Sequence, residues 1–100
     1  MDIRRTEQAD LDLIDIWVFI AHDNTEQAER FIDRIEQRYE QLRQQPELGR
    51  MRPEFGNDIR VLVEGNYLIF YRVRGQLIEI LRCLNGARDI TAQSFMSDEE

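Results

Sequence analysis

Five arginines, at positions 60, 72, 74, 82 and 88, fall in a stretch that also holds Tyr67 and Tyr71. An arginine presents a planar fork of donors that pairs with carboxylates or phosphates. Cleavage of RNA through its 2′-hydroxyl would need a base and an acid beside such cations. The supply of proton-transfer groups is thin. The chain has no lysine, all 13 of its cations are arginine, and His22 is its single histidine. His22 follows an apolar helical run, where it reads as a helix C-terminal cap. Cys83 is the only cysteine, which excludes an internal disulfide and a multi-cysteine metal site. No glycine-rich phosphate loop or ligand cluster is present, so no metal or cofactor is expected.

Charge narrows the partners. The net charge is −7 over 100 residues. Residues 1–58 carry 8 arginines against 14 acids, whereas residues 59–90 carry 5 arginines against 3 acids. A mildly basic segment is thus set within an acidic chain. Direct binding to DNA is not expected, because phosphate contacts need clustered cations. No apolar run approaches the roughly 20 residues that span a bilayer, and Met1–Arg5 lacks the apolar stretch of a signal peptide. The expected setting is the cytoplasm, with no membrane association.

The elements that must hold these side chains follow from patterning. Ile3-Arg4-Arg5 reads as a short edge strand. Thr6 can cap a helix whose first turn holds Glu7 and Asp10. Leu13, Ile14, Trp17, Ile20 and Ala21 form a helical stripe, widened by Ile16, Val18 and Phe19. A belt this wide implies a sandwiched helix or an interface, and it leaves room for a homodimer. Asn24 caps a second helix, with Ala28, Phe31, Ile32, Ile35, Tyr39 and Leu42 on its seam. Pro46 stops it, and residues 46–57 read as a loop. Three strands follow at about 59–63, 66–73 and 76–84, with turns at Gly65-Asn66 and Arg74-Gly75. The expectation is an α+β domain over residues 1–93, ordered β-α-α-β-β-β. A helix hairpin packs on a small, mainly antiparallel sheet, a short C-terminal segment follows, and residues 94–100 form an acidic, frayed tail.

Alternation along the strands assigns faces. If Arg74-Gly75 closes a two-residue hairpin, Tyr71 opposes Ile78 and Ile69 opposes Ile80. One face then carries Arg60, Leu62, Tyr67, Ile69, Tyr71, Ile78, Ile80 and Arg82. With two helices covering one face of the sheet, the other face should show apolar residues dotted with arginine, as docking surfaces do. Arg72 and Glu79 read as a structural cross-strand pair.

The order of elements, taken with particular residues, resembles the ParE/RelE toxin superfamily, and within it the ParE-like plasmid-stabilisation branch. The residues that carry this are Ala9-Asp10-Leu11 through Ile16-Trp17 with Ile20 and Ala21; Ala28 with Phe31-Ile32; Pro46-Glu47-Leu48-Gly49; Arg60; Gly65 through Arg72; Ile78 through Arg82; and Gly86-Ala87-Arg88-Asp89. The resemblance spans residues 2–90. It implies the toxin of a type II toxin–antitoxin module, paired with an antitoxin that usually carries a ribbon-helix-helix domain.

ParE-like members are associated with inhibition of DNA gyrase, RelE-like members with ribosome-dependent mRNA cleavage. Arg60 and Arg82 match cation positions of the nuclease branch. Lysine and a C-terminal tyrosine do not follow, and Asn85 stands where related sequences often have histidine. Protein-directed inhibition therefore ranks above nuclease activity, and a toxin-fold module without toxicity remains a third reading. Arg60, Tyr67, Tyr71, Arg82 and Arg88 are the expected surface toward gyrase or antitoxin. Trp17, Ile69 and Ile80 are the expected apolar surface covered by the antitoxin.

Overall fold

The computed structural model describes residues 1–91 and 94. The expected acidic tail, Ser94 apart, lies outside the described residues. Among the described residues, five strands and two helices run in the order β1 (Asp2–Arg5), α1 (Glu7–Ala21), α2 (Thr25–Gln44), β2 (Arg50–Met51), β3 (Arg60–Glu64), β4 (Tyr67–Arg74) and β5 (Leu77–Asn85), with a 3-10 turn at Pro53–Phe55. The sheet order is β1-β5-β4-β3-β2. β1 runs parallel to β5, and the other neighbours are antiparallel.

Local chemistry explains the helix boundaries. The Thr6 hydroxyl accepts from the Ala9 N–H at 3.0 Å and donates to the Leu81 carbonyl at 2.9 Å. One side chain therefore starts α1 and fastens it to β5. Asn24 Oδ1 accepts from the Gln27 N–H at 2.9 Å, while the Asn24 N–H goes back to the Ile20 carbonyl. The second half of a capping box is thus replaced by a bond to the preceding helix. His22 ends α1, its N–H donating to the Val18 carbonyl.

The helix hairpin roofs one face of the sheet. Ala9, Leu13 and Ile16 of α1 and Phe31, Ile35, Tyr39 and Leu42 of α2 pack with Leu62, Ile69, Tyr71, Ile78, Ile80 and Cys83. The opposite face is covered too. Ile59, Val61, Phe70, Leu81 and Leu84 form a second core against Phe55, Leu68 and Ile90. Phe55 meets Phe70 edge-on, with centroids 5.3 Å apart. The open, arginine-dotted sheet face expected from the sequence is therefore absent among the described residues. The 3-10 turn and the C-terminal arm fold back over it.

Two features of register differ from the expectation. The β4–β5 turn is centred on Gly75-Gln76, so Arg74 opposes Leu77 and Tyr71 opposes Ile80. Gly75 has φ 60°, which glycine adopts without strain. This slip of two keeps the parity of every side chain. A bulge opposite Phe70/Tyr71 does not: beyond it Phe70 opposes Arg82 and Ile69 opposes Cys83. Arg60 lies opposite Tyr71. Arg60 and Arg82 thus have opposite parity, contrary to the shared face expected for them.

Candidate functional site

The first cluster gathers around Tyr71, which is fully buried. Its hydroxyl donates to the Pro46 carbonyl at 2.7 Å and accepts from the Gly49 N–H at 2.8 Å. Arg60 Nη1 donates to the Gly49 carbonyl at 2.8 Å and more weakly to the Glu47 carbonyl at 3.4 Å. Together they fix the turn Pro46-Glu47-Leu48-Gly49 that brings the chain from α2 into β2. The glycine is required by space, since a Cβ there would sit 2.7 Å from the Tyr71 ring and 2.9 Å from the Val61 carbonyl. Burial raises the Tyr71 pKa, opposed by the Gly49 N–H and the Arg60 charge. A phenol so held is a structural tie, not an acid presented to a substrate.

The second cluster joins α1 to β5. Past Arg5, β1 no longer covers the edge of β5, and Asp12 takes over there. Its Oδ2 accepts from the Cys83 N–H at 2.9 Å and from Arg82 Nε at 2.8 Å, while its Oδ1 accepts from Arg82 Nη2 at 2.9 Å. Asp12 is 7% exposed. The bidentate pair offsets the cost of placing a carboxylate at a buried sheet edge. Arg82 Nη1 also donates to the Ser94 carbonyl at 2.8 Å, tying down the C-terminal arm. The expected partner-facing arginine is thus an internal clamp, and its aspartate was legible in the sequence only as one acid of a helix.

The remaining expected residues separate. Ile69 and Ile80 are fully buried beneath the helices, so the apolar surface assigned to them is corrected. Tyr67 is half-buried and its ring lies 5.1 Å from that of Phe31. Trp17 is half-buried and lines a shallow cleft with Leu13, Ile14 and Ile32, of about 350 Å³. Arg88 is exposed on the C-terminal arm. Asn85 Oδ1 accepts from the Ala87 N–H. Arg72 and Glu79 pair across β4 and β5 at 2.8 Å, and Arg4 joins Glu79 at 3.1 Å. The Arg72 hydrogen bond holds the Glu79 carboxyl below its usual range, with Arg4 adding to the effect.

Exposed apolar surface concentrates on α1. Leu11, Ile14 and Val18 recur at i, i+3 and i+7 on its outer side, at 44%, 56% and 58% exposure, and Phe19 flanks them at 73%. Around the end of the hairpin, Phe19 borders a notch of about 490 Å³ between α2 and the β3–β4 turn. α1 contributes no cation to this region; its exposed acids include Asp10 and Asp15. Exposed apolar stripes of this kind are characteristic of docking surfaces.

A hairpin of helices on one face, a parallel N-terminal strand and an antiparallel meander are now joined to a family match. The model of the ParE toxin of type II toxin–antitoxin system, parDE, matches residues 3–90. The chain belongs to the ParE toxin family. Among solved structures, it is similar to a chain described as "Chromosomal ParDE TA system from P. aeruginosa", with 26% identity and a TM-score of 0.73. That likeness covers 85% of this chain and 95% of the other. No curated protein sequence matches significantly. Within this ParE-family chain, the residues that carried the resemblance divide into two kinds. Pro46, Gly49, Arg60, Tyr71 and Arg82 hold the fold together, whereas Trp17 and its neighbours on α1 meet solvent.

Proposed function

We propose that this ParE-family toxin acts by binding protein, as an inhibitor of DNA gyrase, and that a cognate antitoxin neutralises it by covering the outer face of α1. The observation that carries the first part is the commitment of the would-be catalytic groups. Arg60 is spent on two backbone carbonyls, Arg82 on Asp12, and Tyr71 is enclosed by the Pro46–Gly49 turn. With the sole histidine at the far end of α1 and a net charge of −7, little supports proton transfer on a ribosome-bound message.

The antitoxin reading rests on Leu11, Ile14, Trp17 and Val18. A second copy of the chain is a poorer occupant. A two-fold contact of α1 on α1 would bring like residues together, including the exposed Asp15, with no arginine on the helix to offset it. An amphipathic antitoxin segment with basic flanks meets the same apolar stripe without that repulsion. A ribbon-helix-helix partner encoded beside this chain and a cytoplasmic site of action complete the proposal. Among the described residues, no helix is long and apolar enough to cross a membrane.

Supercoiling of relaxed plasmid by purified gyrase tests the reading. Added toxin should abolish the supercoiled product, and preincubation with antitoxin should restore it. Unaltered supercoiling at saturating toxin, with codon-specific cuts in ribosome-bound message, would reverse the assignment.

A further inference from the structure

The notch beside Phe19 brings two arginines to one recess. Arg30 and Arg34 of α2 stand one turn apart along it, and no carboxylate lies among its lining residues. The other side of α2 is the reverse: Asp33, Glu36 and Glu40 line a shallow depression without any arginine. In a chain of net charge −7, one helix therefore separates its charges into an acidic outer side and a basic border.

The guanidiniums at this border are under-matched by acids. Arg34 Nε lies 3.4 Å from Glu64, which Arg38 also engages at 3.1 Å. One carboxylate thus serves two cations. Arg30 reaches Glu26 only at 4.0 Å, and that acid is 81% exposed. Such an exposed pair holds little energy and yields readily to a better ligand. Among the described residues, most other ion pairs are tighter, at 2.7–3.2 Å for Arg52–Glu54, Arg72–Glu79, Arg82–Asp12, Arg5–Asp10, Arg4–Glu79 and Arg43–Glu40. The floor is the edge of the Phe31–Tyr67 ring pair, 5.1 Å apart, with Tyr67 half-buried and the Arg34 guanidinium 5.3 Å from the Phe31 centroid. Asn66 and Asn85 add amide groups at the opposite wall.

We propose that this notch docks an acidic peptide segment of a partner protein, its carboxylates on Arg30 and Arg34 and one large apolar side chain on the Phe31–Tyr67 floor. This rests on the protein-directed reading above and names the chemistry of the partner. Forked donors above an aromatic floor, with amides to meet backbone groups, match a peptide in which carboxylates flank an aromatic or leucine anchor. A nucleic acid fits less well. The whole-chain field repels a polyanion at long range, whereas a short segment with a few carboxylates lies within the screening length of the local arginines.

Two-dimensional NMR of the isotopically labelled full chain provides the test. The probe is a nonapeptide with a central phenylalanine and two glutamates on each side. Its counterpart carries lysine in place of every glutamate. The acidic peptide should shift the backbone amides of Gly65, Asn66 and Tyr67 and the Arg34 Nε–H. Arg30→Glu should weaken it at least tenfold. Arg34→Glu should do the same, but it also removes the Glu64 pair. Asn66→Asp, on an exposed turn, supplies an independent variant and should weaken binding several-fold. The proposal is overturned if millimolar acidic peptide leaves these signals in place, if the shifts map elsewhere, or if the lysine peptide or a single-stranded oligonucleotide binds the notch as well. The titration requires neither toxicity nor gyrase, so it stands or falls separately from the supercoiling result.

Discussion

Tyr71, Arg60 and Gly49 form a unit in which each atom has a stated role. Tyr71→Phe removes the hydroxyl that both donates to Pro46 and accepts from Gly49. It leaves a buried N–H without its partner, so the loss should be about 1–3 kcal/mol, read from urea unfolding. Gly49→Ala should cost at least as much, because its methyl group would meet the Tyr71 ring and the Val61 carbonyl. Asp12 and Arg82 present a different balance. Removing either partner alone strands a largely buried charge and should cost about 3–5 kcal/mol. A double-mutant cycle of Asp12→Ala and Arg82→Ala should show strong coupling, and additive losses would exclude the clamp. Glu79 gives a pH signature. Its folded pKa lies below the unfolded value, so its contribution is full above the ordinary glutamate range, near pH 4.3, and is lost as pH falls through the folded value. Glu79→Gln should flatten that part of the acid-unfolding curve and leave the neutral-pH slope unaltered. At this scale the sequence was a partial guide. It marked Arg60, Tyr71 and Arg82 as special. It could not tell a side chain aimed at a partner from one aimed at its own backbone, because their ligands lie 11 to 70 residues away in the chain.

The helices were the most legible elements. Their caps and seams depend on neighbours within four residues, and Thr6, Asn24 and Pro46 stand at or beside the ends they set. β1, β3, β4 and β5 were also readable from alternation and turn glycines. β2 was not, since two residues inside a loop carry no period. The bulge was equally hidden, because nothing local to Leu81 distinguishes it from an ordinary strand residue. That single extra residue reverses the parity of Arg82, which stands opposite Phe70 and meets Asp12 of α1 around the edge of β5. Cover on the second sheet face, from Phe55 and Ile90, was missed for a related reason: composition shows that a segment is a loop but not where it lies. The exposed stripe of α1 was visible as a belt too wide for one core, and that excess is now the candidate binding surface. Ile14→Asp with Val18→Asp should leave thermal stability within a few degrees, since both side chains are more than half exposed. The same pair should abolish antitoxin binding in a pull-down. Retained binding would remove α1 from the proposed interface.

Across the whole molecule, two cores flank one sheet and the acids and arginines are sorted by region. The basic strand segment seen in the sequence does not become a basic face, because Arg60, Arg72 and Arg82 are folded into carbonyls and carboxylates. The positive border that does appear belongs to α2, inside the half of the chain that is acidic by count. Electrostatic character at a surface therefore depends on which partners the fold supplies more than on regional composition. Partners are expected to meet this toxin along the helix hairpin, because the second face of the sheet is closed by its own loop and arm. Amide hydrogen exchange, compared for the toxin alone and bound to its antitoxin, tests this most directly. Added protection is expected over residues 11–21, with residues 53–59 and 86–90 unaltered. Protection concentrated on those latter segments, with α1 exchanging as in the free toxin, would contradict it.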